Sequence, residues 1–181
     1  MNRTDIYRQA IKRTFADLYG VSPDTVDVSW TTGKTIVVQC ATYTILVAGK
    51  DTQGRYCLID MHIPSGGGPP PHRHDFEEMF SVLEGEIEAS FRGIKTIIRS
   101  GETINIPANA PHQFHNSSAN PVRMLCICSP AGQEEFFLEI GVPVATRTTP
   151  PPKLDAAAEA EFRAKAATLA PKYRTELLPH A

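Results

Sequence analysis

The sequence contains no Cys-x-x-Cys pair and no cysteine spacing that would build a disulfide framework. Its four cysteines are Cys40, Cys57, Cys126 and Cys128, and the last two alternate in an apparent strand. All four therefore read as small buried hydrophobes in a reducing compartment. A strong charge of one sign is missing too. The 18 Lys and Arg against 20 Asp and Glu leave a formal net charge of -2, which argues against broad electrostatic capture of nucleic acid or anionic lipid. Long hydrophobic runs are absent. The longest, around 36–48, is broken by Gln39, Thr42, Tyr43 and Thr44 and is too polar to span a bilayer. The first 20 residues carry charges throughout and no apolar core of signal-peptide length. These absences lead to the expectation of a cytoplasmic protein with no nucleic acid and no membrane partner.

What is present is an ordinary globular composition. Apolar residues make up 41% and charged residues 21% of 181 positions, enough for one domain with a core plus extensions. Ile6, Ala10, Ile11, Phe15 and Leu18 fall close to helical spacing before Gly20, which predicts a helix over 4–19. From Thr31 the character turns to β. Stretches rich in Val, Ile and Thr at 35–40 and 43–48 precede the turn at 49–54. Cys57, Ile59, Met61 and Ile63 then alternate on one face. Ile87, Ala89 and Phe91 alternate in the same way with Glu86, Glu88 and Ser90. Short strands with turns about every 8–12 residues favour a sandwich or barrel over a parallel βαβ fold. After Ser129-Pro130, GQEEFFLEIG predicts a short helix closed by Gly141. A proline-rich linker follows at 146–152, then a helix over 155–169 interrupted by Pro171. The expected division is an N-terminal helical extension at 1–30, an all-β domain at 31–130 and a C-terminal helical extension at 131–181.

The stretch GGGPPPHRHDFEEMFSVLEG, from Gly66 to Gly85, carries the chemistry. Its proline run fixes the approach to His72. Residues two apart on a strand point the same way at about 6.6 Å, so His72 and His74 can converge on one ion with metal–nitrogen bonds of about 2.0–2.2 Å. Glu78, four extended residues further on, would lie about 13 Å away. Asp75-Phe76-Glu77 must therefore bend the chain to return it. A third imidazole, His112, follows the loop at 107–111. Three imidazoles and a carboxylate make a mixed nitrogen/oxygen site for one divalent metal ion. Such a donor set suits Fe, Mn, Ni, Co, Cu or Zn, with iron or manganese taken first. Glu77 competes with Glu78, but strand phase with Phe80 selects Glu78. His62, His115 and His180 are read as surface or structural residues, and Asn116 as a turn cap. Phe76, Phe80, Phe91 and Phe114 are candidates for a substrate pocket.

At these positions the resemblance to a family is plain. Gly66-x5-His72-x-His74-x3-Glu78-x6-Gly85 resembles the first cupin motif at every defining position. Gly101-x5-Pro107-x-Asn109-x2-His112-x3-Asn116 resembles the second, with Asn109 where the family usually has glycine. Asparagine tolerates a left-handed backbone, so the turn is expected to survive. The 15 residues between Gly85 and Gly101 match the short spacer of small single-domain members. The resemblance covers about residues 35–130. It implies a double-stranded β-helix, or jelly-roll barrel, with His72, His74, Glu78 and His112 as metal ligands. It also implies a homodimer. The continuation through SPAGQEEFF is similar to small cupins described as quercetin-dioxygenase-like. That likeness leads to the expectation of a metal-dependent oxygenase acting on a small aromatic or enolisable compound, with Glu78 doubling as general base. A metal-dependent isomerase or lyase, or a non-catalytic small-molecule binder, would use the same site.

Overall fold

In the computed structural model the described residues are 33–38, 40–91 and 93–179, with scattered positions between Ile6 and Ser22. The chain divides into two units, Met1–Thr32 and Gly33–Ala181. In the first, every described position from Ile6 to Asp17 is helical, as the spacing predicts. Ile11, Phe15 and Leu18 of that expected helix lie outside the described residues, as does His180.

The second unit is built from two antiparallel sheets. Its strands are β1 (Lys34–Val38), β2 (Ala41–Val47), β3 (Cys57–Ile63), β4 (His72–His74), β5 (Glu77–Glu84) and β6 (Glu86–Phe91). They continue with β7 (Ile94–Arg99), β8 (Thr103–Ile106), β9 (His112–His115) and β10 (Val122–Ser129). Helix α1 (Gln133–Ile140), strand β11 (Val142–Pro143), helix α2 (Ala156–Leu169) and strand β12 (Thr175–Leu177) complete it. One sheet has the order β11-β1-β2-β3-β10-β5-β8 and the other β12-β4-β9-β6-β7. This is the expected all-β double-stranded β-helix, followed by the expected C-terminal helices.

Sequence alternation sets which face each strand buries. Cys57, Ile59, Met61 and Ile63 of β3 are buried, and opposite them on β10 so are Cys128, Cys126, Met124 and Val122. Because side chains alternate with period two, this register puts both rows into the space between the sheets. Ile87, Ala89 and Phe114 close that space from the other sheet. All four cysteines are free thiols, and three of them belong to this core.

The C-terminal segment is fastened by specific polar contacts. Buried Glu134 on α1 accepts the Gly49 N–H at 2.6 Å and the Gly132 N–H at 2.9 Å. Asp155 caps α2 by accepting the Ala158 N–H at 2.9 Å. After Pro171 the chain turns at Arg174, whose φ is 58, and enters β12. That strand pairs with β4, matching Leu177 to His72 and Thr175 to His74. The strands β11 and β12 were not foreseen, because two or three residues carry no period to read.

Among the described residues no helix is long and apolar enough to cross a membrane.

Candidate metal centre

The bend expected after His74 falls at Asp75 and Phe76, and it carries the chain from one sheet to the other. His72 and His74 on β4 and His112 on β9 therefore project from the smaller sheet, with His72 and His112 as register partners. Glu78, the second residue of β5, projects from the larger sheet. All four side chains are buried, and their donor atoms lie within 4.8 Å of one another.

Each imidazole is held by the same device. His72 Nδ1 donates to the Pro70 carbonyl, His74 Nδ1 to the Phe76 carbonyl and His112 Nδ1 to the Ala110 carbonyl, each at 2.9 Å. A carbonyl can only accept, so Nδ1 carries the proton and Nε2 turns a lone pair inward, as in metal-bound histidines. Glu78 Oε2 lies 2.9 Å from His74 Nε2 and 3.0 Å from His112 Nε2. Electron pairs this close in a buried site require positive charge between them, supplied by a proton on an imidazole or by a cation. The donor set thus fits a divalent metal ion.

Electrostatics favours the ligating forms. Burial, reinforced by His112 and opposed by Glu78, lowers the His72 pKa to about 4, so His72 is neutral near pH 7. For Glu78, burial alone would raise the pKa. The His112 and His74 imidazoles outweigh it and hold the carboxyl well below the usual carboxylate range.

The other carboxylate oxygen meets thiols. Cys126 Sγ donates to Glu78 Oε1 at 3.2 Å, and Cys128 Sγ lies 3.8 Å from the same oxygen. The contact with Cys128 lowers the Cys126 pKa, but burial and the Glu78 charge prevail and push it up to about 12. A thiol that stays protonated serves as a hydrogen-bond donor and not as a nucleophile. Strand alternation places Cys126 and Cys128 in the core, where both are buried, but does not by itself reveal this contact. Strand phase was the available signal: the pair faces inward on the strand that neighbours β5.

Two backbone features lock the site. Asn109 has φ 64, the left-handed conformation expected where the family usually has glycine, and its N–H donates to the His74 carbonyl at 2.6 Å. At Gly68 (φ +148) an added Cβ would sit 2.1 Å from the Phe114 carbonyl oxygen, so only glycine fits this strand crossing. Asn116 is fully buried and caps its turn. It donates to the Ile63 and Asn120 carbonyls and accepts from Ser118. Glu77 is exposed and accepts from Asn105 at 2.9 Å, away from the imidazoles.

His72 and Glu78 open onto a cavity of about 660 Å³ walled by both sheets and the C-terminal helices. Its walls include Tyr43, Met61, Phe114, Phe136, Phe137 and Phe162. Of the four candidate pocket phenylalanines, Phe114 lines this cavity. Phe76 stacks on His74 with ring centroids 3.9 Å apart. Phe80 packs edge-on against Phe114 at 5.2 Å, and Phe91 packs partly buried against the core. Tyr43, Phe136 and Phe137 were not foreseen as lining. The β2 tyrosine is indistinguishable from core by pattern, and the helix phenylalanines reach the cavity only through the chain's return over the sheet.

Residues 59–128 match the family model described as "Cupin domain". The Quercetin 2,3-dioxygenase of Bacillus subtilis (strain 168) is 28% identical over 100 residues, 55% of this chain and 29% of that protein. The chain therefore spans less than a third of that relative's length. Among solved structures, KdgF from Halomonas sp. superposes with a TM-score of 0.53 at 14% identity, covering 61% of this chain and 99% of that one. The polyketide cyclase RemF from Streptomyces resistomycificus gives a TM-score of 0.50 at 22% identity, covering 80% of this chain and 96% of that one. At these identities the structural likeness speaks for the fold alone.

Proposed function

The chain belongs to the cupin superfamily, and from that premise we propose that it is a metal-dependent, dioxygenase-like enzyme acting on a small aromatic or enolisable compound. One observation carries the reading. A buried three-histidine, one-carboxylate set opens directly onto a largely apolar cavity of about 660 Å³. A purely structural metal site is usually closed by protein ligands, whereas a site facing a cavity leaves room for a ligand to reach the ion. The relative that is a quercetin dioxygenase supports the same class.

His72, His74, His112 and Glu78 would hold the ion, with iron or manganese proposed first. A divalent ion bound there supplies Lewis-acid activation of a chelating hydroxyl-carbonyl compound. The chain's own residues do the rest. The Nδ1–H bonds to Pro70, Phe76 and Ala110 orient the three rings. Glu78 faces both the imidazoles and the cavity, and can accept the hydroxyl proton of a bound compound as general base. Phe114, Phe136 and Phe137 exclude water and hold the apolar body of the compound.

The test is turnover of hydroxylated aromatic compounds by metal-loaded protein in air and under strict anaerobiosis. Oxygen-dependent consumption with oxygen incorporated into product is the expected result. Equal turnover without oxygen would replace the proposal with isomerase or lyase chemistry. Tight binding with no turnover in either condition would replace it with a binding module.

A further inference from the structure

Two buried side chains that line the cavity each have a donor with no acceptor among the described residues. Tyr43 on β2 is 5% exposed and lines the cavity. Among the described residues its hydroxyl makes no hydrogen bond, while its ring is fixed against Phe137 with centroids 4.7 Å apart. Burial raises the phenol pKa further, with Cys40, Cys126 and Glu78 adding to the effect, so the hydroxyl keeps its proton. Gln133 opens helix α1 and is 4% exposed. Its Oε1 accepts from Thr175 Oγ1 at 3.5 Å. Its Nε2 donates to no acceptor among the described residues, and the residue lines the cavity.

Unpartnered buried donors are rare because each forgoes the hydrogen bonds it had in water. Two of them on one largely apolar cavity mark where a ligand's polar atoms belong. Both present donors, an O–H and an N–H, so the complementary atoms are oxygen acceptors. Their surroundings are aromatic: Tyr43, Phe136 and Phe137 form one continuous wall, with Phe136 and Phe137 centroids 6.0 Å apart. The volume is about four times the roughly 150 Å³ that holds a single benzene. It therefore suits a planar body of more than one ring.

Resting on the reading of this cavity as the site of the proposed function, we infer that Tyr43 and Gln133 are its specificity-determining residues, each donating a hydrogen bond to an oxygen substituent on a multi-ring aromatic ligand. The metal ligands and the aromatic wall accept any flat apolar body. These two donors select among such bodies by their oxygen pattern, because a ligand lacking the oxygen leaves the donor unpaired.

The experiment titrates naphthalene, a naphthol and a dihydroxynaphthalene into full-length protein, manganese-loaded and metal-stripped, and follows ligand fluorescence. In the unaltered protein each added hydroxyl should tighten binding about five- to tenfold. Tyr43→Phe, which is isosteric, and Gln133→Leu should each abolish one such increment. Both should leave naphthalene affinity and metal content unchanged. The inference is overturned if both variants bind all three probes like the unaltered protein, if they lose affinity for all three equally, or if no probe binds. A protein that takes up none of the divalent first-row metal ions, manganese and iron included, yet keeps the hydroxyl increments would refute the proposed function and leave this inference standing.

Discussion

Burial of His72 should make the metal-free protein lose stability in mild acid, by an amount that can be worked from its surroundings. Its pKa falls from the ordinary histidine value of 6.5 to about 4. The folded state therefore binds fewer protons at this site than the unfolded chain does between those two values. Stability falls wherever the unfolded state binds more protons as pH drops. The loss begins near pH 6.5, accumulates toward pH 4 and then levels off. A shift of this size corresponds to about 3 kcal/mol at full development, or about 6–12 °C in the thermal midpoint of a unit this long. The assay is a series of calorimetric melts across that window with chelator present. The comparison is His72→Asn, whose amide keeps a donor for the Pro70 carbonyl and cannot titrate. Glu78, His74 and His112 remain in both proteins, so the difference between the two pH slopes isolates His72. Wild type should lose more stability than the variant between pH 6.5 and 4, by about 3 kcal/mol. Equal slopes would refute the reasoning, because they would mean that burial does not keep the imidazole neutral.

Further tests address the parts of the site separately. Glu78→Gln keeps the shape and removes the anion, and bound divalent metal should fall by at least tenfold in elemental analysis of the purified protein. Chelation should lower the thermal midpoint of the metal-loaded protein, since an ion present at about 1,000 times its Kd adds about 4 kcal/mol to the folded state; no shift on full chelation would argue against a tightly held ion. Cys126→Val leaves Glu78 Oε1 without its thiol donor, and should cost about 1–3 kcal/mol of stability and weaken metal binding, with Cys126→Ser recovering part of the affinity. Asn109→Gly should be neutral or stabilising in denaturant melts, whereas Asn109→Val should destabilise by about 1–2 kcal/mol, because the position is left-handed.

Much of this site was legible because its logic is local. Two histidines two residues apart on a strand, and a carboxylate too far along to reach unless the chain bends, are statements about strand rise. The turn at Asp75 and Phe76 answers them. Alternation in β3 and β10 was legible for the same reason: each residue's facing is fixed by its neighbours. Tyr43, Gln133, Phe136 and Phe137 were not legible as cavity residues. Their role depends on how α1 docks against the larger sheet after the chain has left the barrel, and no period within α1 encodes what it faces. Cys126 falls between these cases. Its burial follows from strand phase, but its contact with Glu78 depends on the register of β10 against β5, where Cys128 stands opposite Glu78 and Cys126 opposite Phe80.

The division of labour between the two sheets bears on how such a site could take on different chemistries. Three imidazoles come from β4 and β9 of the smaller sheet, each tied to a carbonyl two residues away. Their geometry is therefore settled within short loops and depends little on the rest of the chain. The carboxylate comes from the larger sheet and is gripped from behind by β10 thiols. The cavity beside them is walled by β2 and by helices that follow the barrel. Changes in α1, α2 or the linker between them can therefore reshape what is bound without moving a metal ligand. Strand β12 joins the two systems: it pairs Leu177 with His72 and Thr175 with His74, while Thr175 also holds Gln133. A substitution at Thr175 should thus alter both ligand selectivity and the setting of a metal-binding strand, whereas changes at Phe136 or Phe162 should alter selectivity alone.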